Sequence, residues 1–376
     1  MNPSKRRTAG WASLLLVALL AFAIAACGGD DNGGSGGSSD AAGSEDELFG
    51  DVQLTIGGWG GTINKQTNIS YLQPYKAAGG SSAVFDNAPA AQLARIQAQN
   101  RSGNVTWDVV DSIGADGAWP LWEEGLLEPL PADLKEHLVE VLGPRKVTDF
   151  GFTHANIAHV IACNMDKVDV CPKTMEEFFD VENFPGKRMF PGVGPLTAAA
   201  LAQSAMGVPA EEIENEPPDL DAIFAKLDEV KPAVEVFFTS GDQQEQIMRS
   251  GEADMGIMWS GRAYAVKAGG MNLEVNWDGG VYEPSYWAAV KGGPNTEAAF
   301  ALMKWIADNA EGQAEWAEAL HYSVPNPDAL ELVPAETQAE LADTPENFER
   351  IVTPNYQWYA ENTEELNTRF QDWVGG

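Results

Sequence analysis

Apolar and polar positions alternate through Val52-Gln53-Leu54-Thr55-Ile56, the period-two pattern of a half-buried strand, and the run empties into Gly57-Gly58-Trp59-Gly60-Gly61. The period then changes. Over residues 89–101, Leu93, Ile96 and several alanines share one side of a predicted helix that Gly103 stops. Trp107-Asp108-Val109-Val110-Asp111 predicts a short buried strand, and residues 119–124 a helical turn closed by Gly125. Thr174-Met175-Glu176-Glu177 has capping-box spacing and should open a short helix ending near Asp180. Leu220, Ile223, Phe224, Leu227 and Val230 fall at helical spacing, and residues 253–259 read as a buried strand behind a glutamine-rich helix. Phe300, Met303 and Ile306 mark another helix, and Tyr359, Asn362, Leu366, Phe370 and Trp373 stripe a C-terminal one. Repeated strand–helix alternation predicts an α/β architecture with largely parallel sheets. For a chain of 376 residues, two α/β lobes are the economical division. Lobes facing each other would enclose a cleft lined by strand-end loops.

The N-terminus carries an address. Lys5, Arg6 and Arg7 precede an apolar run of 16 residues from Trp11 to Ala26, broken only by Ser13. As a helix it would reach about 24 Å, short of the ~30 Å hydrocarbon layer, so residues 1–26 fit a cleavable export signal. Ile24-Ala25-Ala26-Cys27 resembles a bacterial lipobox, whose cysteine is acylated and becomes the new N-terminus. The alternative is an ordinary secretory signal with an incidental cysteine. Residues 27–50 are rich in glycine, serine and acids and cannot offset the entropy of ordering, so they predict a tether. The folded body would then be exported to the periplasm or cell surface, held to a membrane only by the lipid on Cys27.

Export implies an oxidising compartment, in which Cys163 and Cys171 are expected to be bridged, two buried thiols being the alternative. The 56 acidic residues against 23 basic ones (net charge −33) exclude a basic nucleic-acid-binding face. Four histidines, three cysteines and no CxxC leave little for a zinc site, and neither metal nor cofactor is expected. No HExxH or Walker motif occurs, and Ser260 follows its nearest upstream glycine at the wrong spacing for a nucleophile elbow. Neighbouring carboxylates are common simply because acids are common. An exported two-carboxylate glycosidase is the enzyme alternative, but the expectation is a non-catalytic monomer.

Taken in order, several segments resemble the solute-binding proteins of ABC importers, in the spermidine/putrescine branch and its relatives for opines and γ-aminobutyrate. The landmarks are residues 54–61, Thr106-Trp107-Asp108-Val109-Val110, Glu124-Gly125-Leu126-Leu127-Glu128-Pro129-Leu130 and Phe184-Pro185-Gly186-Lys187-Arg188. Residues 250–263 and 286–295 continue the series, so the likeness covers most of 51–376. It implies a two-lobed periplasmic-binding-protein fold of type II with a hinged cleft. The first lobe is expected over 51–156 plus about 286–325, and the second over about 157–285 plus 326–376.

Carried over by position, the resemblance lines the cleft with Trp59, Gly60, Asp111, Ser112, Trp259, Arg262, Glu283, Ser285 and Trp287. Glu283, Ser285 and Trp287 alternate and so share one face of a strand, and Pro284 suits an inter-lobe position because it donates no ladder bond. Indole faces beside a carboxylate suit an alkylammonium ion. Polyamine binders of this group carry an aspartate where Ser285 stands, and Arg262 invites a carboxylate or phosphonate. The resemblance thus implies capture of a small amine such as putrescine or spermidine for the transmembrane subunits of an ABC permease. A zwitterion such as γ-aminobutyrate or an opine, or a phosphonate, is the alternative.

Overall fold

A computed structural model describes residues 48–89 and 91–376. The expected signal segment, Cys27 and nearly all of the tether lie outside the described residues.

The strands are β1 (Gln53–Gly58), β2 (Ser82–Asn87), β3 (Val109–Gly114), β4 (Gly151–Asn164), β5 (Arg188–Pro191), β6 (Val234–Phe238), β7 (Met255–Trp259), β8 (Leu273–Ala289) and β9 (Ile351–Val352). They form a sheet ordered β2-β1-β3-β8-β4-β7-β5-β6, with β9 beside β8. Short strands pair in parallel at both flanks, β1 with β2 and β3, and β5 with β6 and β7. The centre is antiparallel, because β4 and β8 return along each other.

These two strands are long, 14 and 17 residues, because each serves both halves of the molecule. Residues Ser285–Ala289 of β8 carry β3 and pair with the start of β4. The other end of β4, from His159 to Cys163, carries β7. Between the halves the register slips: His154 pairs with Ser285 and Ile157 with Glu283, so two residues of β4 face Pro284 alone. Ala155 there has φ +58°, and Asn156 turns its backbone away to exchange hydrogen bonds with Ser323 at 2.9 and 3.0 Å. Pro284 therefore stands where no ladder partner is offered. The Asp343 carboxylate secures this crossing. It accepts from the Asn156 side chain at 2.6 Å, from the Tyr282 hydroxyl at 2.9 Å and from the Lys146 ammonium.

Each half has its own apolar core. The first gathers Leu54, Ile56, Tyr71, Leu302 and Trp316, and the second gathers Phe178, Phe190, Leu201, Leu227 and Trp373. After residue 326 the chain packs against several clusters in turn: Ala329, Val333 and Leu341 against the first core, Ala342 and Ile351 against a cluster with Val160, Met189 and Met258, and Val352 against the second core. The capping box forms as expected: the Thr174 hydroxyl accepts from the Glu177 amide at 3.2 Å. The Glu177 carboxylate reaches one residue further back, to the amide of Lys173 at 2.6 Å. Cys163 and Cys171 are bridged, with Cα atoms 5.7 Å apart.

Candidate functional site

Between the two halves lies a cavity of about 420 Å³. Its walls come from strand ends and the helix starts that follow them, as in other open α/β sheets. Trp59 follows β1 and Trp259 ends β7; their rings meet edge to face across the cavity, centroids 6.4 Å apart. Gly57, just before, gives room for the Trp107 ring, which a Cβ would approach to 2.1 Å. The loop between is pinned by Asn64, whose side-chain oxygen accepts from the Gly60 amide at 2.8 Å.

Glu283 and Ser285 project from β8 into the cavity. Glu283 Oε2 lies 2.5 Å from His159 Nε2 on the neighbouring strand, and the His159 ring abuts Trp259. Asp116, in the first turn of the helix Ala115–Glu123, is the second carboxylate on the wall. A Cβ built on Gly114 would stand 2.7 Å from Asp116 Oδ1 and 3.1 Å from Glu283 Oε1, so the two acids crowd one glycine. Burial, reinforced by the charge of Glu283, pushes the Asp116 carboxyl up to about 7. Among the described lining residues, Asp116 and Glu283 are the only carboxylates.

The rest of the wall mixes apolar side chains, among them Ile63, Leu93, Ile113 and Ile157, with polar groups that are not carboxylates. Three helices begin on it: Ala115–Glu123, Pro195–Ala205 after Gly192-Val193-Gly194, and Ser260–Ala268 after Trp259. No N-cap side chain caps any of the three; in the first the Asp116 carboxylate accepts from the amides of Asp116 and Gly117, whereas the starts of the other two carry no such acid. Asn367 and Gln371 of the C-terminal helix Tyr356–Gly375 add side-chain amides, and Tyr359 and Phe370 add rings.

The structure brings together Trp59, Ser112, Trp259, Glu283 and Ser285. It keeps four expected residues off the wall. Asp111 is wholly buried behind Ser112, whose hydroxyl donates to it at 2.7 Å, and burial pushes its carboxyl up to about 7. Arg262 turns to Glu245 at 2.9 Å and Asp242 at 3.2 Å, because those acids lie on the adjacent helix Gly241–Ser250. Trp287 shares the face of Glu283 and Ser285 but sits deeper, in the first core, edge-on to His154. Gly60 shapes the loop that presents Trp59 without lining the cavity itself.

The profile of the bacterial extracellular solute-binding protein family matches residues 70–348, well over half of the sequence. The chain belongs to that family. Among curated solute-binding proteins, the γ-aminobutyric acid-binding protein of Pseudomonas aeruginosa is 29% identical over 325 residues, 85% of this chain and 90% of that one. The spermidine/putrescine-binding periplasmic protein of Escherichia coli is 25% identical over 195 residues, 50% of this chain and 53% of that one. Of the solved structures, a GABA receptor superposes with TM-score 0.76 at 30% identity, covering 86% of this chain and 97% of its own. The fold is thus the two-lobed one of these binding proteins, and the relatives are solute binders of transport systems.

Sequence reasoning missed Asp116, His159 and the C-terminal helix residues. A signal existed for the first two. Asp116 is an acid placed just beyond a buried strand's end, and His159 is the polar interruption of an otherwise apolar run from Ile157 to Ala162. Nothing local in the sequence brings Asn367 or Gln371 back to a cleft formed some 80 or more residues earlier.

Proposed function

We propose that this protein captures a small zwitterion, a short ω-amino acid of the γ-aminobutyrate type, and delivers it to an ABC permease. The observation that carries the reading is the distribution of charge around the cavity. Its two carboxylates stand together at Gly114, enough to hold one ammonium group beside the Trp59–Trp259 pair. A diamine would want a second acid elsewhere on the wall, and no further lining residue supplies one among those described. The uncapped helix starts and the amides of Asn367 and Gln371 instead suit a carboxylate. The full-length likeness to a γ-aminobutyric acid-binding protein supports the same choice, whereas the polyamine-binding relative matches over half its length.

Ligand bound between the lobes would favour their closure about the crossing at Ala155 and Pro284, and the closed form would be the one the permease accepts. Acylation of Cys27 would keep the protein at the membrane where that permease lies. Calorimetric titration with γ-aminobutyrate, putrescine, butylamine and butyrate tests the reading. γ-Aminobutyrate should bind tightest, and Glu283→Gln should weaken it by about 2–5 kcal/mol. Putrescine binding more tightly than γ-aminobutyrate would overturn the zwitterion in favour of the polyamine.

A further inference from the structure

The cleft holds more negative charge than one ammonium group needs. Asp116 and Glu283 arrive from different elements, a helix start and β8, yet both oxygens fall within about one bond length of contact with the same missing Cβ at Gly114. Two carboxylates this close in a shielded cleft repel each other, and one proton between them relieves most of that cost.

The groups facing the pair decide whether anything else does so. From β4 comes His159, its Nε2 2.5 Å from Glu283 Oε2. From the C-terminal helix come Tyr356 and Tyr359, both raised above the ordinary phenol value by burial and so neutral. Tyr322 approaches from the segment after the helix Ala310–Leu320, and it too is held neutral by burial. Arg262 stands beside Tyr322 but is engaged by Glu245 and Asp242. His159 is then the only facing group among those described that could carry positive charge, and it contacts Glu283 on the oxygen away from Gly114.

We propose that capture is an exchange: the empty site keeps a proton on the Asp116–Glu283 pair, and the incoming ammonium replaces it. Asp116 becomes a specificity-determining residue alongside Glu283. In the step, the carboxyl O–H of Asp116 breaks, its proton leaves to water or buffer, and the freed carboxylate accepts an N–H of the ligand. Charge balances, one cation leaving as one arrives. The elevated carboxyl of Asp116 agrees with this assignment. The inference rests on the cleft being an amine site, and the experiment separates the two.

The purified protein is titrated with γ-aminobutyrate between pH 6 and 9 in buffers of different ionisation enthalpy, which reads proton release directly. Release should approach one proton per amine near pH 6 and vanish by about pH 9, with Kd rising by up to about tenfold per pH unit on the acid side. Asp116→Asn should bind with no release and a flat pH profile. His159→Asn should lower affinity through Glu283 but leave the release in place. Should Asp116→Asn fail to fold, His159→Asn decides in its place: release that persists there supports the acid pair, and release lost there overturns it. Heats independent of buffer and a Kd independent of pH would overturn the exchange while leaving the amine site standing. Release that survives Asp116→Asn and disappears in His159→Asn would move the proton to the histidine and overturn the role of Asp116. No heat with either γ-aminobutyrate or putrescine would overturn the amine site itself, and the exchange with it.

Discussion

Gly114 has φ −60° and ψ 156°, a conformation open to any residue, so what this position requires is space and not backbone freedom. The space is taken by two carboxylate ends, which are the movable parts of their side chains. Gly114→Ala should therefore leave stability within about 0.5 kcal/mol, as for a substitution that strains neither backbone nor core. Amine affinity should fall at least about tenfold, roughly 1.4 kcal/mol, as both acids are pushed apart. Thermal unfolding and calorimetry on one preparation check both halves, and a large loss of stability would mean the acids cannot yield. At this scale the sequence was half legible. Trp59, Glu283 and Ser285 came from the resemblance, to which strand alternation added that Glu283 and Ser285 share a face. Arg262 was beyond reach because its direction depends on Glu245 and Asp242, acids no different in sequence from dozens of others. Trp287 has the right face but the wrong depth, and alternation specifies only the face.

Elements were read better than residues, because each carries its own signals. The Thr174 cap, the β1 alternation and the spacing along Leu220–Val230 are local instructions, and the structure obeys them. Departures come where tertiary contacts intervene. The C-terminal helix is continuous by its apolar stripe yet bends at Asn362 (φ −123°, ψ 19°), whose side chain donates to the Trp358 carbonyl at 2.8 Å. The antiparallel centre of the sheet was likewise hidden, since strand direction depends on how far the chain travels before it returns. The Cys163–Cys171 bridge closes a small loop at the end of β4, within the second core. Its removal by Cys163→Ala with Cys171→Ala should cost about 2–3 kcal/mol, read as a lower urea midpoint. Ligand affinity should hardly move, because the bridge lies apart from the cavity wall.

For the whole molecule, three buried groups set an unusual response to pH. Asp111 and Asp116 keep their protons in the folded state up to about 7, whereas the unfolded chain releases them near 3.8. Between those values each makes stability fall as pH rises. His154 works in the opposite sense. Burial lowers it from 6.5 to about 3, so over that interval the unfolded chain binds the extra proton and stability rises with pH. Two against one leaves a net fall of about 1.4 kcal/mol per pH unit between roughly pH 4.5 and 6.5. Urea unfolding of the ligand-free protein should show it, and Asp111→Asn should flatten it. A stability that climbs over this interval would contradict the assignment. The two-lobed plan was legible from alternation, length and the resemblance together.

The step at Pro284 has a mechanical meaning. A pleated sheet bonded at every rung is a stiff card, and bending it anywhere would tear hydrogen bonds. Here one rung is left out, with Asn156 spending its backbone on Ser323 and proline offering no hydrogen in reply. The card is scored along that line, so a crease between the lobes would run through a rung already missing.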